Sequence, residues 1–173
     1  MDLEEATQKG NQIKEIKRLE TAPPPVRKDY GWSPYLAIDF LEELDFKTNG
    51  YHEIFGEWGA SSSPVLLGKK ELFQNKLGYY VYGSKLIAKT LRVVLNVNVP
   101  NEIDSALNSF VLASSILYEK ATSMPLPSKF KHNIFNETIF EVKQGSYVIK
   151  LYKEEWENSK GYDLRFSIQI KEL

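Results

Sequence analysis

A chain of 173 residues with 42% hydrophobic residues is typical of one folded domain, which excludes a disordered chain. The 22 basic and 23 acidic side chains nearly cancel, so no global field would draw the protein to nucleic acid or to an anionic membrane. The absence of cysteine excludes disulfides, thiolate metal sites and a cysteine nucleophile. We therefore expect a single domain over residues 1–173.

The N-terminal sequence gives no sign of a targeting segment. Residues 1–5 are acidic and polar, unlike the basic and apolar start of a secretory signal peptide. The longest largely apolar stretch, residues 110–117, is interrupted by two serines and is too short to cross a bilayer. We expect a soluble, cytoplasmic protein that does not bind a membrane.

Residues 1–28 combine a weak helical pattern with a proline-rich connector. Apolar residues recur at helical spacing early in this segment, but Gly10 weakens the middle of the helix by about 1 kcal/mol. Three consecutive prolines from Pro23 fix φ and lack N–H groups, so they favour an extended connector. We expect a marginal helix that needs a partner surface to become well ordered.

A second helix is predicted to begin at Ser33, where a capping hydroxyl precedes a proline at the first helical position. Leu36, Phe40 and Leu44 recur at helical spacing on one face. The pair Asn49-Gly50 suits the left-handed turn that commonly ends a helix.

From residue 51 to residue 99 the sequence is rich in aromatic and branched residues separated by glycine and serine clusters, a pattern typical of strands. The last run, residues 91–99, is the most regular because each odd-numbered residue is apolar. Residues 84–90 fit either a helical turn or a strand. The predicted strands are residues 51–58, 64–67, 71–73, 77–82 and 91–99.

The strongest helical pattern covers residues 101–121. Asn101 can cap its first turn, and Asp104 occupies the third position of a capping box. An apolar stripe that includes Leu107 and Phe110 is broad enough to lie across a sheet. Residues 130–136 are expected to form a short link or a single helical turn.

The last three strands are predicted to form an antiparallel meander. Residues 162–171 alternate between apolar and polar without error, which indicates a strand with one buried face. A two-residue turn at residues 144–145 would pair Val142 with Tyr147 and keep their apolar faces together.

Matching the apolar faces also sets the register of the final two strands, and it leaves residues 158–161 as a four-residue loop. Opposite charges meet across this register, which supports it. The resulting pairs are Leu151–Ile168, Ile149–Ile170, Glu154–Arg165 and Trp156–Asp163.

The polar face of this meander interleaves charged and aromatic side chains, a composition that is enriched in recognition surfaces. An ordinary solvated sheet face, with two aromatic rings lying over their neighbours, is the alternative. The predicted partner-binding residues are Tyr152, Glu154, Trp156, Arg165 and Gln169.

Signals for catalysis or metal binding are sparse. The two histidines, His52 and His132, form no H-x-x-x-H or H-x-H pair, so we expect no metal site and no cofactor. The serine-rich turn at residues 61–63 lacks the pattern of a nucleophile elbow, and no phosphate-binding loop is present.

Two further clusters have simple structural interpretations. Asp39 shares a helical face with Glu42 and Glu43, but carboxylates without an apolar pocket are usually the solvated side of a helix. The basic residues of 128–132 surround Phe130. Because the chain is neutral overall, we do not expect nucleic acid to bind there, and the alternative is a solvated link with Phe130 in the core.

The order of elements predicts an α+β fold, with an antiparallel sheet, a long helix packed across one face, a C-terminal three-strand meander and N-terminal helices. For function we expect a non-enzymatic protein-binding module, such as a small cytoplasmic inhibitor or an immunity protein that neutralises a toxin. Its partner would be another protein. Two alternatives are left open, namely a small hydrolase or nuclease that uses carboxylates and His52, and a small-molecule carrier that uses the aromatic strand at residues 79–82.

Overall fold

The computed structural model describes residues 31–171, so the predicted N-terminal helix and its proline-rich connector lie outside the described residues. Two short 3-10 turns, Glu42–Leu44 and Pro100–Glu102, accompany the main elements. The helices are α1 (Pro34–Ala37), α2 (Ile103–Thr122) and α3 (Ser128–Phe135). The strands are β1 (His52–Ile54), β2 (Glu57–Ser61), β3 (Val65–Leu67), β4 (Asn75–Ser84), β5 (Ile87–Val97), β6 (Phe140–Gln144), β7 (Tyr147–Glu155) and β8 (Tyr162–Ile170).

The strands form one antiparallel, eight-stranded sheet in the order β1-β2-β4-β5-β8-β7-β6, with β3 beside β4. Helix α2 contacts β4, β5 and β8, which are consecutive in this order, and therefore crosses the middle of the sheet. Strands β6, β7 and β8 form the C-terminal meander. The predicted α+β fold is confirmed.

The core lies between α2 and one face of the sheet. The apolar stripe of α2 is buried there, as its spacing predicts, and includes Leu107, Phe110 and Leu117. The alternating residues of β5 and β8 meet this stripe, with Val93 directly opposite Phe166. The alternation of β8 is thus explained by a strand with one face in the core.

Two aromatic side chains connect the chain before β1 to this core. The buried indole of Trp32 donates a 2.9 Å hydrogen bond from Nε1 to the carbonyl oxygen of Ala121. The buried hydroxyl of Tyr79 donates to the carbonyl oxygen of Ala37. Each hydrogen bond satisfies a buried polar group and joins segments that are distant in sequence.

The second predicted helix is much shorter than its pattern indicates. Helix α1 covers four residues, Ser33 makes no side-chain capping hydrogen bond, and a separate 3-10 turn follows. A continuing α-helix would use the carbonyl of Ala37 as the acceptor for the N–H of Leu41, whereas here that carbonyl accepts from Tyr79. Since Ala37 and Leu41 are fully buried, packing decides the conformation.

The predicted strand at residues 51–58 is wrong, because a tight turn divides it into β1 and β2. Phe55 and Gly56 form the two-residue loop with φ values of 52° and 86°. Two consecutive positive φ values match the hairpin turn that suits the twist of paired strands. Phenylalanine is an unusual residue in such a turn, so residue type alone did not indicate it.

Several smaller boundaries also differ from the sequence predictions. Residues 71–73 form a bend, whereas residues 84–90 contain a hairpin connection and the start of β5. Helix α2 follows a 3-10 turn, and its N-cap is Glu102, so Asn101 does not cap it as predicted. The expected short link at residues 130–136 lies largely within the eight-residue helix α3.

The predicted registers of the meander are wrong by two residues. Val142 pairs with Ile149, because the turn consists of Gly145 and Ser146. Gly145 has a φ of 58°, which a glycine adopts easily at the first position of such a turn. The last two strands are shifted in the same way, with Ile149 opposite Ile168. A shift of two residues keeps each side chain on its face, so alternation alone could not detect it.

Candidate binding face

The side of the sheet opposite α2 carries the polar residues of the central strands, and we call it the open face. It includes all five predicted partner-binding residues; Trp156 follows the end of β7, and pairing with neighbouring strands aligns the other four in rows. One cross-strand row runs from β4 to β6 through Tyr80, Arg92, Ser167, Lys150 and Glu141. The next row toward the β7–β8 loop contains Gly78, Val94, Arg165 and Tyr152.

The open face is concave. One depression of about 570 Å³ is lined both by Glu57 of β2 and by Glu141 of β6. Four strands lie between β2 and β6 in the sheet order, so the sheet must curve to bring both residues to one depression. A second depression of about 560 Å³ adjoins the first, because Lys150 and Gln169 line both.

A third depression of about 370 Å³ continues the face toward the β1–β2 hairpin. Its aromatic lining includes Phe55, Trp58, Tyr80 and Tyr82. The rings of Tyr80 and Tyr82 are stacked, with centroids 6.3 Å apart and planes only 4° from parallel. This end of the open face is therefore more apolar than the end near β6 and β7.

Arg165 lies at the centre of a polar network on the meander. Its Nη2 is 2.7 Å from Oε2 of Glu154 and 3.1 Å from Oδ2 of Asp163. Glu154 and Asp163 are direct cross-strand partners, and Arg165 bridges them, which offsets the repulsion between the two carboxylates and leaves the trio with one net negative charge. The sequence prediction that Glu154 lies opposite Arg165 is wrong in register, but the ion pair forms on the diagonal.

Asp163 also receives hydrogen bonds from two neutral donors. Nε1 of Trp156 lies 2.9 Å and Nδ2 of Asn96 lies 2.7 Å from its Oδ1 atom. Since Arg165 donates to the other carboxylate oxygen, both oxygens of this nearly buried side chain are satisfied. The network fixes the positions of Trp156 and Arg165 on the surface.

Gly161 allows the Trp156 ring to lie against the β7–β8 loop. A Cβ atom at Gly161 would be 2.4 Å from Cζ3 of Trp156 and 2.4 Å from the carbonyl oxygen of Val97. The N–H of Trp156 donates a 3.0 Å hydrogen bond to the carbonyl of Gly161 and closes the loop. A glycine is thus required here by close approach.

Arg92 lies between two tyrosine rings on the open face. Its guanidinium carbon is 5.4 Å from the ring centroid of Tyr82 and 5.8 Å from that of Tyr152. The guanidinium carbon of Arg165 is 5.7 Å from the same Tyr152 ring. These cation–π contacts connect both arginines to Tyr152.

Charge and burial also shift the pKa values of two side chains on this face. Burial acts to lower the pKa of Arg165, but contacts with Tyr152 and Asp163 and the charge of Glu154 outweigh it and raise the pKa. Burial raises the pKa of Tyr82, although the positive charge of Arg92 acts in the opposite direction. Arg165 therefore stays charged and Tyr82 stays neutral at physiological pH.

The structure joins four of the five predicted partner-binding residues through direct contacts, and the fifth lines a depression beside them. Tyr152, Glu154, Trp156 and Arg165 belong to one connected cluster. Gln169 lies opposite Val148 and lines both the depression of about 570 Å³ and, together with Tyr152, the depression of about 560 Å³.

Three further residues belong to the open face: Arg92, which no sequence pattern indicated, and Tyr80 and Tyr82, which were predicted only as part of the alternative carrier site. They reach the face through the pairing of β4 with β5 and of β5 with β8. A two-residue turn joins β4 and β5, but β5 and β8 are far apart along the chain, so no sequence pattern indicated their pairing.

The candidate catalytic residues do not assemble into a site in the described part of the chain. Exposed His52 has its Nδ1 2.9 Å from the carbonyl oxygen of Gly50, and no hydrogen bond or ion pair joins it to a carboxylate within residues 31–171. Exposed His132 has its Nε2 3.0 Å from Nδ2 of Asn136. No group of three or more metal-ligating side chains occurs among the described residues.

The remaining sequence clusters have structural roles. Glu43 lies 3.8 Å from Lys120 of α2 in an exposed ion pair. Phe130, within the basic cluster, is buried and stacks on Phe140 with centroids 4.9 Å apart. The alternative interpretation of that cluster, with Phe130 in the core, is the one that the structure supports.

We compared the chain with models of protein families, with curated proteins and with solved structures, and none of the three comparisons found a match. Among the helices of residues 31–171, none is long and apolar enough to cross a membrane. Inference about function therefore depends on the chemistry of the open face.

Proposed function

We propose that this protein is a non-enzymatic, cytoplasmic protein-binding module that holds its partner on the concave open face. The observation that supports this proposal most strongly is the continuity of three depressions across one sheet face, lined by aromatic and charged residues. Surfaces that recognise proteins are enriched in tyrosine, tryptophan and arginine. A small inhibitor, such as an immunity protein that neutralises a toxin, is one concrete form of this function.

The Arg165 network favours binding because it already holds side chains of the open face in fixed positions before a partner arrives. Asp163 holds both Trp156 and Arg165 by hydrogen bonds. Ordering a long side chain on association costs about 0.5–1.5 kcal/mol, and a side chain that is already held avoids much of that cost. A partner would therefore meet aromatic and cationic groups whose positions are already fixed.

The test compares binding by two triple variants. The first replaces residues of the open face with alanine: Tyr152→Ala, Trp156→Ala and Arg165→Ala. The second is a matched control on the exposed side of α2: Asn108→Ala, Leu112→Ala and Glu119→Ala. A partner isolated with the wild-type protein should lose affinity at least about a hundredfold for the first variant and keep it for the second. Circular dichroism must show that both variants fold. Equal binding by both would refute the proposal.

A small-molecule carrier is the second candidate function, and one observation favours it. The depression of about 370 Å³ beside Tyr80 and Tyr82 is within the size range of small-ligand sites and is largely aromatic. Tyr79, the first residue of the aromatic strand that the sequence suggests for this role, is in the core, so the ligand would contact Tyr80 and Tyr82 instead. Calorimetric titration with planar aromatic compounds should show binding that Tyr82→Ala removes. Unchanged binding by that variant would exclude this site.

A further inference from the structure

The two arginines of the described residues differ in their electrostatic surroundings. Arg165 forms ion pairs with Glu154 and Asp163. Arg92 forms no ion pair within residues 31–171, and its flat guanidinium is held between the rings of Tyr82 and Tyr152. The open face thus has one guanidinium whose charge is matched by its own chain and, among the described residues, one whose charge is not.

A second observation at the same place concerns the polar atoms beneath the Arg92 guanidinium. Nε of Arg92 and Oγ of Ser167 are both buried, and neither has a hydrogen-bond partner in the described part of the chain; the same is true of Nε of Arg165. Ser167 is fully buried and lies directly opposite Arg92 in the sheet, with Lys150 on its other side. Because Nε is enclosed, a group that enters from the open face would accept hydrogen bonds from the terminal Nη atoms of the Arg92 guanidinium, which are not among these enclosed atoms.

The space beside these groups can hold a side chain. The depression of about 560 Å³ includes Arg92, Lys150, Tyr152 and Gln169 in its lining, and we call these four residues the Arg92 pocket. They supply guanidinium, ammonium, hydroxyl and amide donors. Lys150 is 3.3 Å from Glu141, which leaves Arg92 as the unmatched positive charge of the pocket.

We propose that the Arg92 pocket binds a carboxylate side chain, aspartate or glutamate, of the protein partner. This inference depends on the proposed function, because it names the chemistry that the open face recognises. A planar carboxylate matches a planar guanidinium through two parallel hydrogen bonds. The aromatic rings on both sides of Arg92 hold it in place, which favours this geometry.

Charge on the same face favours a carboxylate over a polyanion. Glu141 of the pocket lining is paired with Lys150, whereas Glu154 and Asp163 share the single cation Arg165. The network beside the pocket therefore keeps one net negative charge, which would repel the successive phosphates of nucleic acid or an anionic lipid surface. A single carboxylate requires only one unmatched cation. The whole chain has a formal charge of −1, which agrees with local rather than global recognition of an anion.

The test is an NMR titration of the full-length ¹⁵N-labelled protein, observed at the arginine Nε–Hε resonances. The chain has four arginines, and an Arg92→Lys variant assigns the relevant signal. The probes are two capped peptides that present either one glutamate or one glutamine between two tyrosines. We expect the Arg92 signal to shift saturably with the glutamate peptide and at least about tenfold more weakly with the glutamine peptide. Equal shifts, or no shift with either peptide, would overturn the assignment.

Two controls separate this inference from the proposed function. Arg92→Gln should abolish the chemical-shift changes that the glutamate peptide causes in the backbone amides of β5 and β8. Lys120→Gln on α2 should leave those changes as they are in the wild-type protein. Inorganic phosphate and a thymidine oligonucleotide are titrated in the same way. If either saturates the Arg92 signal at a lower concentration than the glutamate peptide does, the pocket binds phosphate and the proposed carboxylate ligand is wrong. If Arg92→Gln keeps full affinity for a partner that the open-face triple variant loses, only the pocket assignment fails.

Discussion

Trp156 and Asp163 are joined across the β7–β8 hairpin by a hydrogen bond of 2.9 Å from the indole Nε1 to the carboxylate Oδ1. Asp163 is nearly buried, yet each of its oxygens has a donor, because Arg165 and Asn96 complete the set. This contact connects the stability of the hairpin to the shape of the candidate binding face. It therefore allows several tests that need no partner.

Asp163→Ala should lower the free energy of unfolding by about 2–3 kcal/mol, because it leaves three donors without their acceptor. Asp163→Asn should have a smaller effect, since it keeps one carbonyl oxygen. The control is Glu155→Ala, which removes an exposed ion pair with Lys153 and should change stability by less than about 0.5 kcal/mol. Urea denaturation measures all three. A loss no larger for Asp163→Ala than for the control would contradict the network.

Gly161→Ala should destabilise the protein by about 1–3 kcal/mol, because its Cβ would collide with the Trp156 ring and the Val97 carbonyl. The emission of tryptophan should also shift to longer wavelength as Trp156 moves toward solvent. Gly145→Asn is a suitable control, since no atom lies near its Cβ position and asparagine tolerates a positive φ. Unchanged emission in Gly161→Ala would show that the ring does not contact the loop.

Phe110→Ala should cost about 3–5 kcal/mol, because Phe110 is fully buried between α2 and the sheet. Leu112→Ala lies two residues further along the same helix on its exposed side and should change stability by less than about 0.5 kcal/mol. Thermal and urea unfolding of the two variants compare the faces of α2 directly. Similar losses for both would be inconsistent with the orientation of this helix.

Stability should decrease at high pH, and Tyr79 should contribute to the decrease. Burial raises the pKa of Tyr79 well above its ordinary value, and the charge of Asp39 adds to the rise. The unfolded chain ionises this hydroxyl near pH 10, so the favourable contribution is complete below about pH 10 and is lost as the pH rises further. Urea unfolding between about pH 7 and about pH 11 measures this dependence.

Tyr79→Phe serves as the matched variant for this test. It should lower stability at neutral pH by about 1 kcal/mol, because the hydrogen bond to the Ala37 carbonyl is lost. Its stability should also decline less steeply above about pH 10 than that of the wild-type protein, since one raised pKa has been removed. Identical slopes for the two proteins would show that Tyr79 does not carry this linkage.

The elements that were predicted correctly are those in which burial imposes a regular pattern. Strand β8 alternates because Phe166 and its apolar neighbours face the core, and α2 has a broad stripe because it crosses the sheet. The registers could not be determined in the same way, since a two-residue shift preserves both faces of a strand. The hairpin turn at Phe55 and the short α1 depend on local and tertiary geometry that periodicity does not encode.

Only the part of the candidate site that lies within one local pattern could be predicted from the sequence. Tyr152, Glu154, Trp156 and Arg165 are close in the meander, so the local pattern of β7 and β8 was sufficient to group them. Arg92 is far away in sequence and reaches the face only through the pairing of β5 with β8. Curvature, which makes the face concave, is a property of the whole sheet. The single-domain assignment and the cytoplasmic location stay predictions.

Site-specific photocrosslinking to the isolated partner determines which face of the protein the partner covers. A benzophenone amino acid is placed at Tyr82 or Tyr152 on the open face, or at Leu112 on the exposed side of α2 as the control. If the partner binds the open face, we expect covalent capture of the partner from positions 82 and 152 and none from position 112. Capture from position 112, with none from the two tyrosine positions, would contradict it.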